Sequence, residues 1–167
     1  DIDRSSKIIT GTTTISGIAQ KSKIALHQKD LSVHAVQVDG QSVPFLIDHE
    51  LDALNITLPK SGEMQVTIDY TAPLTDTMMG IYPSYYEIDG EKKQIIGTQF
   101  ETNFARQAFP CIDEPEAKAT FDLAIKFDEQ ADETILANMP ELRVENDVHY
   151  FDTTVKMSTY LVAFAFG

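Results

Sequence analysis

Short runs of alternating apolar and polar residues recur along the chain, and clusters of turn-forming residues separate them. The clearest runs are MQVTIDY at residues 64–70 and FDLAIKF at residues 121–127. A period of two places alternate side chains on opposite faces of a strand, one buried and one solvated. Further strand-like runs occupy residues 134–138, 149–153 and 158–166. The pattern therefore predicts antiparallel strands over most of the chain.

Two Asp-Gly pairs predict tight hairpins, because this dipeptide readily adopts the positive φ angles of a two-residue turn. Asp39-Gly40 joins the predicted strands at residues 31–38 and 41–47. Asp89-Gly90 joins those at residues 85–88 and 94–100.

The only helical signal is short. Residues 103–109 are compatible with one helical turn, with Asn103 as its cap and Pro110 as its stop. We find neither a long amphipathic helix nor an internal repeat. We therefore expect an all-β fold, a saddle-like antiparallel β-sandwich of two or more packed sheets, formed by a single domain over residues 1–167.

Composition narrows the classes of partner. Hydrophobic residues make up 43% and charged residues 23% of the chain, which is typical of a folded protein. The net charge of −13 repels phosphate backbones and anionic lipids, so we expect no nucleic-acid partner. The apolar run at residues 158–167 is too short to span a bilayer, so we expect no membrane segment. Cys111 is the single cysteine, and with no evident signal sequence it favours a cytoplasmic location.

The sequence offers little support for chemistry by this chain alone. Residues 49–53, HELDA, begin like the zinc signature HExxH, but Ala53 stands where the second histidine is required. Cys111 has no neighbouring histidine to activate it, so we expect a packed thiol rather than a nucleophile. We therefore predict neither a catalytic residue nor a metal ligand in these residues.

A group of charges follows the predicted helical turn. Arg106, Asp113 and Glu114 lie close together in sequence with Glu116 and Lys118. Two acids in this group are compatible with a catalytic pair, but charges of opposite sign interleaved in this way more often hold an irregular loop in place. We expect a structural role for Arg106, Asp113 and Glu114.

Gln99 and Glu101 lie at the end of the strand that precedes this loop. Because they are two residues apart, their side chains point to the same face. From the residues alone, they form either an ordinary solvated strand end or a small polar site.

The blocks TQFE, AR and FPCIDEPEAKATF, within residues 98–121, resemble the N-terminal domain of the aminopeptidase N family of zinc metallopeptidases. The resemblance extends more weakly to almost the whole chain. It implies a β-rich saddle that packs on a thermolysin-like catalytic domain. It also implies that Glu101 anchors the α-ammonium group of the substrate, that Gln99 lines the pocket for the first side chain, and that Arg106, Asp113 and Glu114 brace the loop behind them.

The zinc helix HExxH and the GxMEN strand of that family are absent from this sequence. The resemblance therefore implies the N-terminal piece of a larger enzyme, inactive alone, with zinc bound elsewhere in the full-length polypeptide. The implied partners are peptides with free N-termini and the catalytic domain of the same polypeptide. The alternative is a stand-alone acidic β-sandwich module that binds a protein or carbohydrate. A reading frame that continues past Gly167 into both missing motifs favours the enzyme, and a stop codon favours the module.

Overall fold

The computed structural model of the protein describes residues 1–167. It contains fifteen β-strands in four sheets, all paired antiparallel within the sheets, and its only helical segments are two 3₁₀ turns, Ala105–Gln107 and Thr159–Leu161. The predicted all-β, sandwich-like fold with several packed sheets is confirmed.

Two sheets pack together in the first half of the chain. The five-stranded sheet has the order β1-β2-β8-β4-β5, and the first three-stranded sheet has the order β3-β7-β6. Their strands are β1 (Ile2–Asp3), β2 (Ile8–Ala19), β3 (Lys23–His27), β4 (Ser32–Val38), β5 (Gln41–Ser42), β6 (Phe45–Asp48), β7 (Ala53–Thr57) and β8 (Gly62–Pro73).

Two further sheets form the second half of the chain. The four-stranded sheet has the order β12-β15-β10-β9, and the second three-stranded sheet has the order β11-β14-β13. Their strands are β9 (Gly80–Ile88), β10 (Glu91–Gln99), β11 (Ala124–Lys126), β12 (Ile135–Ala137), β13 (Glu141–Glu145), β14 (Val148–Phe151) and β15 (Phe164–Phe166).

The apolar residues form two core clusters. The smaller cluster, between the two sheets of the first half, centres on Leu54, Ile56 and Ile68, which are at most 1% exposed. The larger cluster, which includes Ile96 and Phe100, lies under the four-stranded sheet. The long strand β8 supplies residues to both clusters, so it connects them.

Both predicted hairpins are confirmed. Asp39 and Gly40 have φ angles of 49° and 79° between β4 and β5, and Asp89 and Gly90 have φ angles of 53° and 82° between β9 and β10. The alternation over residues 64–70 is also confirmed, since the side chains of its four apolar residues are buried.

Three predicted strands, at residues 41–47, 121–127 and 158–166, differ in extent from the strands in the structure. Residues 41–47 do not form one strand, because the run divides between β5 and β6 at Val43 and Pro44, and proline lacks the N–H that a central ladder position donates. Of residues 121–127, only Ala124–Lys126 form a strand. The backbone N–H of Phe121 donates instead to the hydroxyl of Thr154, 2.9 Å away.

Residues 158–166 form a 3₁₀ turn followed by the short strand β15 rather than one strand. The hydroxyls of Ser158 and Thr159 donate to the backbone carbonyls of Pro115 and Ile112, so this segment is tied to the loop before it re-enters a sheet. The helical turn near residue 105 is present, but its N-cap is Phe104 rather than Asn103, and no side chain caps it.

None of the helices has the length and hydrophobicity that crossing a bilayer requires.

Candidate functional site

Strand β10 is an interior strand of the four-stranded sheet, and Gln99 is its last residue. Ile96 and Phe100 point into the core and are 0% and 1% exposed, whereas Gln99 is exposed. Alternation along the strand therefore directs Gln99 away from the core. Its backbone partner on β9 is Gly80, whose φ of 77° requires glycine at the start of that strand.

Glu101 follows directly after the buried Phe100. Its side chain is exposed, and its backbone N–H donates to the Oε1 atom of Gln99, 3.2 Å away. The carboxylate of Glu101 takes part in none of the chain's ion pairs. Gln99 and Glu101 therefore form adjacent exposed polar groups, one of which is a carboxylate without a cationic partner.

Phe100 anchors the segment between these two residues. Its ring packs edge-on against Phe109 with the centroids 5.8 Å apart, and its carbonyl accepts a hydrogen bond from the N–H of Phe104, 2.9 Å away. Two residues earlier, the hydroxyl of Thr98 bonds with the backbone N–H and C=O of Phe164 on β15. The exposed pair is thus flanked by residues that are fixed by packing and hydrogen bonds.

The loop that follows contains a buried ion pair. Asp113 is 3% exposed, and its Oδ2 atom accepts from the Nε and backbone N–H of Arg106, 3.0 and 3.2 Å away. The Nη2 atom of Arg106 also donates to the carbonyl oxygen of Asp113, 3.3 Å away. A buried carboxylate requires such partners, because an unpaired buried charge is strongly unfavourable.

Glu114 is exposed and contacts a different residue. Its Oε1 atom lies 3.4 Å from Nε2 of His27, and Nδ1 of His27 accepts from the backbone N–H of Asp113, 3.0 Å away. Because Nδ1 is an acceptor, the neutral imidazole carries its proton on Nε2, facing Glu114. Sequence reasoning missed His27, which lies 86 residues from Asp113 and gives no local signal.

Backbone bonds reinforce the link between this loop and β3. The N–H and C=O groups of His27 and Cys111 bond reciprocally, at 2.8 and 3.1 Å. Glu116 and Lys118, which the sequence groups with these charges, form no ion pair. Of the predicted loop residues, the structure brings Arg106 to Asp113 and Glu114 to His27.

Cys111 is a packed thiol, as expected. It is 5% exposed, and burial raises the pKa of its thiol well above the usual range. The negative charge of Asp113 raises this pKa further, whereas the positive charge of Arg106 opposes the shift. The thiol stays protonated at neutral pH and is a poor nucleophile.

The histidines do not assemble a metal centre. His149 is 7% exposed, but its Nδ1 atom lies 2.7 Å from Glu141 and its Nε2 atom 3.7 Å from Glu129, on opposite sides of the ring. His49 is exposed, in the turn between β6 and β7. No three His, Cys, Asp or Glu side chains converge as metal ligands would.

A large cleft lies elsewhere. It has a volume of about 1230 Å³ and is lined chiefly by residues of β2 and by residues 117–125. Neither Gln99 nor Glu101 lines it. The exposed pair is therefore outside this cleft, on the surface where the interior strand β10 ends.

Comparison with known proteins gives consistent matches over the whole chain. The Peptidase M1 N-terminal domain matches residues 1–161. The chain is 61% identical over 167 residues to the aminopeptidase N of Lactobacillus delbrueckii subsp. lactis, 56% identical over 168 residues to that of Lactobacillus helveticus, and 53% identical over 172 residues to that of Lactococcus lactis subsp. lactis. Each match covers 100% of this chain and 20% of the relative, so the chain spans about one fifth of the length of the curated relatives it matches.

Proposed function

The chain belongs to the peptidase M1 family, whose N-terminal domain it matches, and from this premise we propose that it is the substrate-recognition domain of a zinc aminopeptidase. In this proposal Glu101 binds the α-ammonium group of the peptide and Gln99 contacts the first side chain. The observation that carries the proposal is the pair of exposed side chains at the end of β10, with the Glu101 carboxylate free of any cationic partner.

The chemistry of a free N-terminus fits this pair. An ammonium group is a compact cation with three N–H donors, and a hydrogen bond between a cation and a carboxylate is stronger than one between neutral groups. An enzyme that removes one residue from a free N-terminus must recognise that charge. Acetylated peptides, which lack this charge, are then poor ligands. The carboxamide of Gln99 can donate hydrogen bonds to the first side chain of the peptide or accept them from it.

The loop behind the pair has a positioning role in this proposal. The Arg106–Asp113 ion pair and the contact of Glu114 with His27 hold residues 106–114 against β3. A fixed loop limits the conformations open to the segment that starts at Glu101. Pre-organisation of this kind lowers the entropy that must be lost when a ligand binds.

The residues of this chain do not fit a zinc site, since no cluster of three potential ligands is present. The sequence also lacks a complete HExxH motif. We therefore assign zinc to another part of the full-length polypeptide and derive no chemical step from this chain. The domain is proposed to be catalytically inactive alone.

A cytoplasmic location completes the proposal. It is supported by the single cysteine, which is buried and unable to form an intrachain disulfide. Cell fractionation of the natural host checks it, and recovery of the protein outside the cytoplasm would contradict it.

The role of Glu101 is testable in the full-length enzyme by Glu101→Gln, which removes the charge and keeps the shape. We expect kcat/KM for peptides with free N-termini to fall by about 30- to 900-fold, or about 2 to 4 kcal/mol, the scale of losing a charged hydrogen-bond partner. Binding of N-acetylated peptides, measured as inhibition constants, should change little. Glu116→Gln, at an exposed acid of the same loop, is the matched control and should leave kcat/KM unchanged.

An equal effect of Glu101→Gln on free and acetylated peptides, or none on either, would remove Glu101 from ammonium binding. Residues 1–167, assayed beside the full-length enzyme with added zinc, should show no turnover. Metal-dependent hydrolysis by these residues would refute the division of roles between this domain and the remaining polypeptide.

A further inference from the structure

His27 is the last residue of β3, and it bonds to the loop that follows β10 through both its backbone and its side chain. Its backbone N–H donates to the carbonyl oxygen of Cys111, 2.8 Å away, and its carbonyl oxygen accepts from the N–H of Cys111, 3.1 Å away. Its Nδ1 atom accepts from the N–H of Asp113, 3.0 Å away. One residue of the first half of the chain therefore holds two positions of a loop in the second half.

The imidazole of His27 takes the place of a missing backbone partner. In a regular antiparallel pair, hydrogen-bonded pairs recur at every second residue, so Asp113 would bond with the backbone of Ala25. The bridge between His27 and Cys111 is instead isolated. The Nδ1 atom of His27 supplies the acceptor that a continued ladder would have provided, and it extends the contact with the loop beyond the bridge.

The amide of Asp113 needs this acceptor because it is shielded from water. Asp113 is 3% exposed, and a buried N–H group without a partner is as unfavourable as a lost hydrogen bond. The carboxylate of Asp113 is bonded to Arg106, so one contact fixes the side chain and another fixes the amide. Loss of the acceptor at Nδ1 would leave a buried donor unsatisfied in the middle of the loop.

The other ring nitrogen of His27 has a weaker contact. Its Nε2 atom lies 3.4 Å from the Oε1 atom of Glu114, whose side chain is 55% exposed. Water weakens polar contacts at the surface, and holding a long side chain in one conformation costs entropy. The loop therefore depends on the acceptor atom Nδ1 more than on the N–H group at Nε2.

The loop connects His27 to the proposed substrate-binding pair through a contact between two rings. Phe109, two residues before Cys111, packs edge-on against Phe100 with the centroids 5.8 Å apart. Phe100 is 1% exposed and immediately precedes Glu101. A displacement of the loop at Cys111 therefore changes the packing of the residue that carries Glu101.

We propose that His27 is a positioning residue for the carboxylate of Glu101, and that it acts through the acceptor atom Nδ1. The inference rests on the proposed function and deepens it, because it adds a residue of β3 to the loop residues that set where this carboxylate stands. The role is indirect, since the contacts of His27 are with Cys111, Asp113 and Glu114.

Hydrogen exchange in the full-length polypeptide tests the contact without any substitution. The N–H of Asp113 should exchange at least about 100-fold more slowly than that of the exposed Glu116 in the same loop, because it is buried and hydrogen-bonded. Mass spectrometry of overlapping fragments assigns the exchange to single residues. Exchange of Asp113 at the rate of Glu116 would overturn the proposal.

Two substitutions of His27 separate its two ring nitrogens. The Oδ1 atom of asparagine lies as many bonds from the backbone as Nδ1 of histidine, whereas the carboxamide of glutamine reaches the position of Nε2. In the full-length enzyme, we expect His27→Gln to lower kcat/KM for peptides with free N-termini by about 10-fold, since small displacements of a binding group are costly. His27→Asn should retain most of the parent value, because it keeps an acceptor for the amide of Asp113.

Two controls accompany these variants. Inhibition constants of N-acetylated peptides should change little in either variant, because these peptides lack the ammonium group. His34→Gln, at an exposed histidine of β4, should leave kcat/KM unchanged. Equal losses in His27→Asn and His27→Gln, or no loss in His27→Gln, would overturn the role of Nδ1. If His27→Gln does not fold, a tenfold loss in a folded His27→Asn variant would still overturn it.

The double variant of His27→Gln with Glu101→Gln distinguishes this inference from the proposed function. If His27 acts through Glu101, His27→Gln should cause no further loss of kcat/KM in that background. A full further loss would overturn the positioning role and leave ammonium binding intact. An unchanged kcat/KM for Glu101→Gln alone would instead refute the proposed function, and with it the need to position this carboxylate.

Discussion

At the scale of single residues, the space beside Gly11 on β2 is occupied by a side chain of the neighbouring strand β8. Gly11 pairs with Tyr70 on β8, and a Cβ atom on Gly11 would lie 2.5 Å from the Cζ and Oη atoms of the tyrosine ring. Tyr70 is 7% exposed, and burial raises the pKa of its phenol to about 12, so the ring is neutral and closely packed. The side chain that fills this space belongs to Tyr70, and Gly11 leaves room for it.

Gly11→Ala is therefore expected to lower the free energy of unfolding by about 1 to 3 kcal/mol, the usual range for overpacking. Gly17→Ala is the matched control on the same strand, where an added Cβ atom has nothing within 4 Å. This control should be neutral or stabilising by about 0.5 to 1 kcal/mol, because alanine loses less backbone entropy than glycine. Urea unfolding measures the free energy of unfolding of both variants. Equal changes would show that the Tyr70 ring moves to accommodate the new methyl group at no cost in free energy.

At the scale of elements, Arg4 fastens the turn between β1 and β2 to the segment between β11 and β12. Its guanidinium group donates to both carboxylate oxygens of Glu133, at 2.6 and 2.9 Å, and to the Oδ1 atom of Asp128, at 2.8 Å. It also lies over the ring of Phe166, 5.5 Å from the centroid. One side chain thus joins elements that are more than 120 residues apart in sequence.

This contact predicts a pH dependence of stability. The hydrogen bonds from Arg4 lower the pKa of Glu133 in the folded protein. A lowered folded-state pKa contributes stability above the unfolded-state value of about 4.3, and this contribution is lost as the pH falls through the folded-state pKa. Glu133→Gln should therefore cost about 1.5 to 3 kcal/mol at pH 7 and clearly less at pH 3.

Urea unfolding at the two pH values measures this change. Asp132→Asn is the control, because Asp132 is exposed, forms no ion pair and has a φ of 70°, which asparagine also tolerates. A loss for Glu133→Gln that is the same at pH 3 as at pH 7 would show that the ionised carboxylate contributes nothing specific.

At the scale of the whole molecule, the two longest strands run from one core cluster to the other, which predicts that the clusters unfold together. In β8, Val66 and Ile68 lie in the smaller cluster, whereas Tyr70 and Ala72 lie in the larger one. Strand β2 pairs with β8 over its full twelve residues. Unfolding one cluster therefore disrupts the strands that support the other.

Leu54→Ala tests this connection. Leu54 is 0% exposed in the smaller cluster, so we expect the global free energy of unfolding to fall by about 2 to 5 kcal/mol. Hydrogen exchange should show the loss of protection in β10, under the larger cluster, as well as in β7. Leu46→Ala, at a 69% exposed position of the neighbouring strand, should leave both unchanged. Lost protection confined to β7 would mean that the clusters unfold independently.

Much of this arrangement was predictable from the sequence because strand alternation and turn chemistry are local. The Asp39-Gly40 and Asp89-Gly90 turns, the buried face of residues 64–70 and the exposed position of Gln99 each depend on a few consecutive residues. The contact of Arg106 with Asp113 spans only seven residues. The binding roles of Gln99 and Glu101 remain predictions, supported by membership of the family.

The sequence by itself determined the fold class and which side chains share a strand face, because period-two alternation follows from the geometry of one extended backbone. Only the tertiary structure decided that His27 meets Asp113 and Glu114, that the run at Pro44 divides between two sheets, and that Leu136, Ala165, Gly97 and Tyr82 form one row. Those contacts join residues far apart in the chain. Their register is set by the burial of two shared cores, a property of the whole molecule that no single segment encodes.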